Sequence, residues 1–236
     1  MSVNANDPNV VLLELVAHHL GDALHEQMVF VGGAVVGLLI TDPAMPAIRP
    51  TQDVDLVVQA TVLCEYHAVE AALIARGFVH DMSVDAPICR WRIGEVTVDV
   101  MPMEKAVLGF ANRWCPLAMD TASAFTLPNQ KVIKLISPPV FIATKLEAFA
   151  NRGKGDFLWS HDLGDIIAVV DGRETLLDEC KVQAPELVEY LQAKFATLLA
   201  NRAFMQALSG HLSPDNASQS RLPLLERKLR ELASLA

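Results

Sequence analysis

Apolar residues recur at three- and four-residue steps through Val10, Leu13, Val16, Ala17, Leu20 and Leu24, so Asn9 to Glu26 predicts an amphipathic helix. Asp7-Pro8 supplies its cap and first-turn proline. Met28 to Val31 is a short apolar strand broken by Gly32-Gly33, and Ala34 to Ile40 follows as a short buried helix. Pro43, Pro46 and Pro50 force a loop over Asp42 to Gln52. Asp53 to Val58, rich in valine, predicts a strand, and Thr61 to Arg76 a helix closed by Gly77. Ile88 to Ile93 and Val96 to Met101 read as two strands joined across Gly94-Glu95, a two-residue hairpin signal.

Beyond Leu127 the pattern turns helical. One helix starts at Pro138 or Pro139 and reaches Asn151, and Ser160 caps another that ends at Asp171-Gly172. Pro185 to Leu199, Arg202 to His211 and Leu222 to Leu235 complete the set. The predicted fold class is therefore α+β: a small mixed sheet with helices over residues 1–125, then a helical part over 126–236.

Composition narrows the class. The chain has 236 residues, 52% hydrophobic and 20% charged, which excludes intrinsic disorder. Mean hydropathy of +0.30 raises the question of a membrane span. The longest uncharged apolar stretch, Gln27 to Thr41, has only 15 residues with three glycines, short of the roughly 20 that a spanning helix needs. Met1 to Asn9 carries no basic residue and no apolar core of a signal peptide, so a cytoplasmic protein is expected. Cys64, Cys89, Cys115 and Cys180 are scattered singly, without the close pairs that zinc ribbons and redox motifs need.

Charge is uneven within a formal total of -9. Residues 1–60 hold seven acids and one base, Arg49, whereas Lys131 to Lys154 holds five bases and one acid, Glu147. An acidic front and a basic middle suit a metal-plus-phosphate site. The chemistry concentrates in Gly32-Gly33 and in Arg49-Pro50-Thr51-Gln52-Asp53-Val54-Asp55. Side chains alternate along a strand, so Asp53 and Asp55 share one face while Val54, Leu56 and Val58 fill the other. Two such carboxylates repel, and divalent cations with oxygen preference compensate them. Asp99 fits the same geometry: Val98 and Val100 share one face and Asp99 takes the other. If the two strands are neighbours, three carboxylates meet and could hold two metals about 3.5–4 Å apart. Gly32-Gly33, between a strand and a helix, allows backbone N–H groups to approach a phosphate.

This succession (Gly-Gly, Arg-x-Thr-x-Asp-x-Asp on a strand, then a later single Asp on a strand) resembles the polymerase-β-like nucleotidyltransferase superfamily. Pro139-Val140-Phe141-Ile142-Ala143-Thr144-Lys145-Leu146-Glu147-Ala148, then Asn151-Arg152-Gly153-Lys154 and Asp162-Leu163-Gly164-Asp165-Ile166, look like the AbiEii-type members, which include abortive-infection and toxin–antitoxin toxins. The resemblance covers residues 28–171. It implies a nucleotidyltransferase α/β domain over 1–125 and a helical domain over 126–236 completing the site.

It also implies magnesium- or manganese-dependent transfer of NMP from an NTP to an acceptor hydroxyl. Asp53, Asp55 and Asp99 would bind metal, with Asp99 positioning or deprotonating the acceptor. Gly32 and Gly33 would cradle the triphosphate, with Arg49 and Thr51 beside it. Lys145 would contact nucleotide phosphates, Arg152 shares its helix face two turns on, and Asp162 would be the final motif acid, with Asp165 as its substitute. The acceptor is a tRNA or other RNA end, a protein side chain or a small molecule, and an antitoxin is a candidate partner. One departure stands out: 19 residues separate Gly33 from Asp53, more than the superfamily's usual gap, so the Pro-rich loop reads as an insertion.

Two other functions compete. One is a non-catalytic nucleotide- or partner-binding protein of the same fold. Arg227, Lys228 and Arg230, opposite Leu222, Leu225, Leu229 and Leu232, would either dock such a partner or pack the helix on its own domain. The other is a metal-dependent glycosyltransferase, which expects a βαβ nucleotide site that the 52 residues before Asp53 do not supply. Trp91, Trp114 and Trp159 read as packing residues. Ser160-His161-Asp162 cannot form a catalytic triad, because consecutive residues do not converge.

Overall fold

The structure, a computed structural model, describes residues 4–153 and 155–235. The order begins α1 (Pro8–His25), β1 (Met28–Val31), a 3₁₀ turn (Gly33–Val35), α2 (Val36–Leu39) and β2 (Asp53–Val58). It continues through α3 (Leu63–Ala75), β3 (Val79–His80), β4 (Arg90–Ile93), β5 (Val96–Pro102), α4 (Lys105–Leu108) and α5 (Cys115–Thr121). Next come β6 (Ser123–Thr126), β7 (Val132–Leu135), α6 (Pro138–Arg152), α7 (His161–Gly172), α8 (Leu176–Lys181) and α9 (Pro185–Ala200). The chain closes with α10 (Arg202–Ala207), a 3₁₀ turn (Leu208–His211), α11 (Asn216–Gln219) and α12 (Leu222–Leu232). Among the described residues no helix is long and apolar enough to cross a membrane.

Two compact units result, each drawn from two stretches of chain. The sheet unit is Ser2–Val35 with Arg49–Ser137. Its seven strands run in the order β3-β4-β5-β2-β1-β7-β6. β2 pairs parallel with β5 and antiparallel with β1, and β1 pairs parallel with β7, so the sheet is mixed. Its valine-rich central strands suit a pleated, two-sided core: Val54, Leu56, Val58, Val98 and Val100 are all fully buried. Each such side chain contributes about 1.5–3 kcal/mol relative to exposure, which anchors the polar face of the same strands.

The expected hairpin is present, turning on Gly94. The expected first helix is kinked: Gly21 takes φ 67 and ψ 169, and the Arg76 guanidinium lies where a Cβ would sit. The sheet also extends past the division expected near residue 125, through β6 and β7. Residues 132–135 alternate exposed and buried, the period of a strand, in a stretch that the sequence reading counted in the helical part without assigning it an element.

The helical unit is Val36–Ile48 with Pro138–Ala236. Its early segment is tied in by the Gly172 carbonyl, which accepts from the Thr41 and Asp42 N–H groups, and by Arg221, which reaches both Asp42 and Asp171 at 2.7 Å. Leu225, Leu229 and Leu232 of α12 are buried within this unit. Its basic face is occupied locally: Arg230 pairs with Glu226 and the Lys228 ammonium donates to the Asp171 carbonyl. The leucine face therefore packs the helix on its own unit and is not a free docking face.

Candidate active site

The register of two neighbouring strands, β2 and β5, assembles the acidic site in the sheet unit. Asp55 lies opposite Asp99 in the parallel β2–β5 pair, and Asp53 lies two residues before Asp55 on the same face. Asp53 and Asp55 are half-buried and Asp99 is buried. One oxygen from each of the three lies within 4.8 Å of the other two. Two carboxylates at that spacing repel by roughly 3 kcal/mol near a protein surface. The arrangement is therefore costly unless positive charge compensates it.

Three neighbours hold the carboxylates in place. Gly32, at φ 73, ends β1 directly beneath Asp55: a Cβ there would lie 1.8 Å from Asp55 Oδ2. The Thr51 hydroxyl donates to Asp53 Oδ1 at 2.5 Å. Thr51 is itself fixed by Asn9, a buried residue in the first turn of α1 whose Oδ1 accepts from the Thr51 N–H and whose Nδ2 donates to the Arg49 carbonyl. The stretch Arg49 to Asp53 is thus clamped by α1 as it enters β2. Arg49 is exposed, and Gly33 is buried at the start of the 3₁₀ turn.

Asp99 has a partner that the sequence reading missed. Arg90, opposite Asp99 in the antiparallel β4–β5 pair, donates from Nε to Oδ1 at 2.8 Å and from Nη2 to Oδ2 at 2.7 Å. This pairing holds the Arg90 guanidinium above its ordinary pKa. The signal was present in the alternation of Arg90-Trp91-Arg92-Ile93, since period two puts Arg90 on the polar face of a hairpin whose other strand carries Asp99. Cys89, next in chain, is buried, and its thiol is pushed up to about 12 by that burial and then by the Asp99 charge, so it is not a nucleophile here.

The donor set fits a hard divalent cation. All three donors are carboxylates, their oxygens already converge, and each Asp99 oxygen keeps a second lone pair beyond the one that Arg90 uses.

The helical unit holds a second charged cluster. Lys145 of α6 is buried and sits 2.7 Å from Asp165 Oδ2 and 3.3 Å from Asp162 Oδ1, both of α7. Arg152, two turns along α6, donates to both oxygens of Asp162 at 2.9 and 2.8 Å. Burial pushes the Asp162 carboxyl up, but the Arg152 hydrogen bonds and the Lys145 charge more than reverse this and hold it below the usual range. Ser160 caps α7, its hydroxyl accepting from the Leu163 N–H. Lys145, Arg152, Asp162 and Asp165, given separate roles in the sequence reading, lie in one ion-paired cluster. Lys154 lies outside the described residues.

Trp159 departs from its expected packing role. It is 78% exposed, while Trp91 and Trp114 are buried. Asp156 fixes its loop by accepting from the Leu158 and Trp159 N–H groups, and the Phe157 carbonyl is bonded to the His211 ring at 2.7 Å.

No family model and no curated protein matches the chain. The solved structures similar to it include the following two. One is the solution structure of the antibiotic-resistance factor ANT(2'')-Ia, 16% identical, with a TM-score of 0.46 over 81% of this chain and 92% of that one. The other is a crystal structure assigned as a nucleotidyltransferase from H. pylori, 11% identical, with a TM-score of 0.46 over 99% of this chain and 94% of that one.

Proposed function

We propose that this protein is a divalent-cation-dependent nucleotidyltransferase, moving NMP from an NTP to an acceptor hydroxyl. The observation that carries this reading is the convergence of Asp53, Asp55 and Asp99 from neighbouring parallel strands, beside a glycine that leaves room for no side chain. Such a cluster is destabilising by itself, and a cation turns it into a binding site. In the reaction, the acceptor oxygen bonds to the α-phosphorus and the bond from that phosphorus to the bridging oxygen of the β-phosphate breaks. Pyrophosphate leaves with the electron pair, and the hydroxyl proton passes to a carboxylate or to water.

Bound cations would stabilise charge on the attacking and leaving oxygens. The chain's own part is positional. The buried side of β2 fixes Asp53 and Asp55, Thr51 orients Asp53, and the Gly32-Gly33 turn offers backbone to the phosphates. Asp99 receives or orients the acceptor hydroxyl. In the helical unit, Lys145 and Arg152 are read as phosphate contacts, which requires them to exchange carboxylate for phosphate partners.

The testing experiment supplies each NTP with Mg²⁺, cellular RNA and extract, and follows pyrophosphate. One NTP should give release that falls by about 10²–10³ in Asp53→Asn. Release of a nucleoside diphosphate would indicate sugar transfer, and no release with any NTP would overturn the reading. A non-catalytic binding role is favoured by one observation, the Arg90 fork that engages both oxygens of Asp99; NTP binding without turnover would establish it. Growth arrest on expression, abolished by Asp53→Asn, would assign a toxin role, and normal growth an ordinary modifying enzyme.

A further inference from the structure

A cleft of about 480 Å³ opens in the sheet unit between the C-terminal end of α1 and the β6–β7 hairpin, and none of its lining residues belongs to the carboxylate site. That size lies within the roughly 300–1,000 Å³ of small-molecule sites. Three contacts strap the hairpin along α1. The Asn129 N–H donates to Glu14 Oε1 at 2.8 Å, Lys131 Nζ lies 3.7 Å from Asp22 Oδ1, and Lys134 Nζ donates to the Glu26 carbonyl at 2.6 Å. His25, the last residue of α1, lines the cleft. It is only 7% exposed, and its Nε2 is buried with no hydrogen-bond partner among the described residues. A buried ring nitrogen in that condition is costly and calls for a partner. Burial lowers the His25 pKa from its ordinary value, so the ring is neutral near pH 7. A neutral imidazole sets its tautomer to its partner, so Nε2 can accept from an ammonium group.

Around His25 the cleft carries two carboxylates, Asp22 and Glu26, and two ammonium groups, Lys131 and Lys134. Their charges sum to zero, so net charge selects neither a cation nor an anion. Their binding capacity is not used up internally. The Glu26 carboxylate has no partner among the described residues, and the Asp22 side chain is 94% exposed, with only the long contact to Lys131. Lys134 spends one of its three donors on a carbonyl. Ala124 and Val132 share one face of the β6–β7 pair with Lys134, and both are exposed and apolar. We propose that this cleft binds a zwitterionic small molecule of the α-amino acid class with an apolar side chain. His25 and Glu26 hold its ammonium group, Lys131 and Lys134 its carboxylate, and Ala124 and Val132 its side chain. The site is independent of the transfer reaction. A mere packing recess at the helix end would take apolar molecules whatever their charge, which is the property that separates the two.

The test is calorimetric titration of the full chain with L-leucine and L-phenylalanine, each beside the amine and the acid that lack its other charge. At least one amino acid should bind about tenfold or more tighter than either of its single-charge analogues. Glu26→Gln and Lys131→Gln, both at the rim, should each weaken that binding by about tenfold, and thermal melts establish that these variants fold. A second measurement needs no variant to be stable under titration: in proton NMR the His25 imidazole signal, assigned by its loss in His25→Gln, should shift as the amino acid is added. Equal affinity for an amino acid and its single-charge analogues would reduce the cleft to an apolar recess and overturn the proposal. Affinity unchanged in both rim variants, an unmoved His25 signal, or no binding of any probe would overturn it too. All of these outcomes leave the carboxylate site and its transfer reading where they stand, since no probe or variant touches Asp53, Asp55 or Asp99.

Discussion

At Gly32 an added Cβ would sit 1.8 Å from Asp55 Oδ2, on a backbone with φ 73 that disfavours any side chain. Gly32→Ala is therefore expected to cost about 2 kcal/mol or more and to move Asp55 off its position. A lowered melting temperature together with lost Mn²⁺ binding would check this. Asn9 makes a parallel case. Its amide satisfies the Thr51 N–H and the Arg49 carbonyl, so Asn9→Ala should cost about 1–3 kcal/mol and loosen the approach to Asp53. Asp53→Asn should behave oppositely in stability: removing one of three crowded charges should leave the melting temperature unchanged or raised while catalysis falls. The carboxylates were legible in the sequence because period two and flanking valines place them unambiguously. Asn9 was not, since nothing local tells a helix-start asparagine that caps from one that clamps a strand 42 residues away.

At the scale of elements, α6 and α7 are joined by charge as well as by apolar packing. Asp162 has a lower pKa folded than unfolded, so as pH falls the unfolded chain takes up its proton first. The stabilisation is complete above about pH 4, the unfolded value, and is lost as acid passes through the lowered folded pKa. Arg152→Gln should raise that folded pKa and move the acid limb of unfolding to higher pH. The loss at neutral pH should be only roughly 1 kcal/mol, because Arg152 is 71% exposed and partly screened. The Trp159 loop makes a separate expectation: iodide should quench one tryptophan of three, and Trp159→Phe should abolish the quenchable fraction. Long periodic helices and the β4–β5 hairpin could be read in advance. β7 could not, because four alternating residues are too short to outweigh the helical pattern that follows. β3, two residues long, carries no period at all.

For the whole molecule, the sequence reading found the α+β class and the order of sheet then helices, but not that residues 36–48 belong with the helices. That assignment depends on Arg221 reaching Asp42 from 179 positions away, a pairing that local patterns cannot contain. The acidic total of -9 sits uneasily with a large nucleic-acid footprint, and a short acceptor end or a small molecule suits it better. The decisive measurement compares α- and γ-labelled forms of each NTP, with Mg²⁺ and candidate acceptors, for wild type and for Asp53→Asn and Asp99→Asn. Label on the acceptor from the α position alone, lost in both variants, is the outcome expected of NMP transfer through this carboxylate cluster. Label from the γ position, or α-label that survives both substitutions, would contradict it.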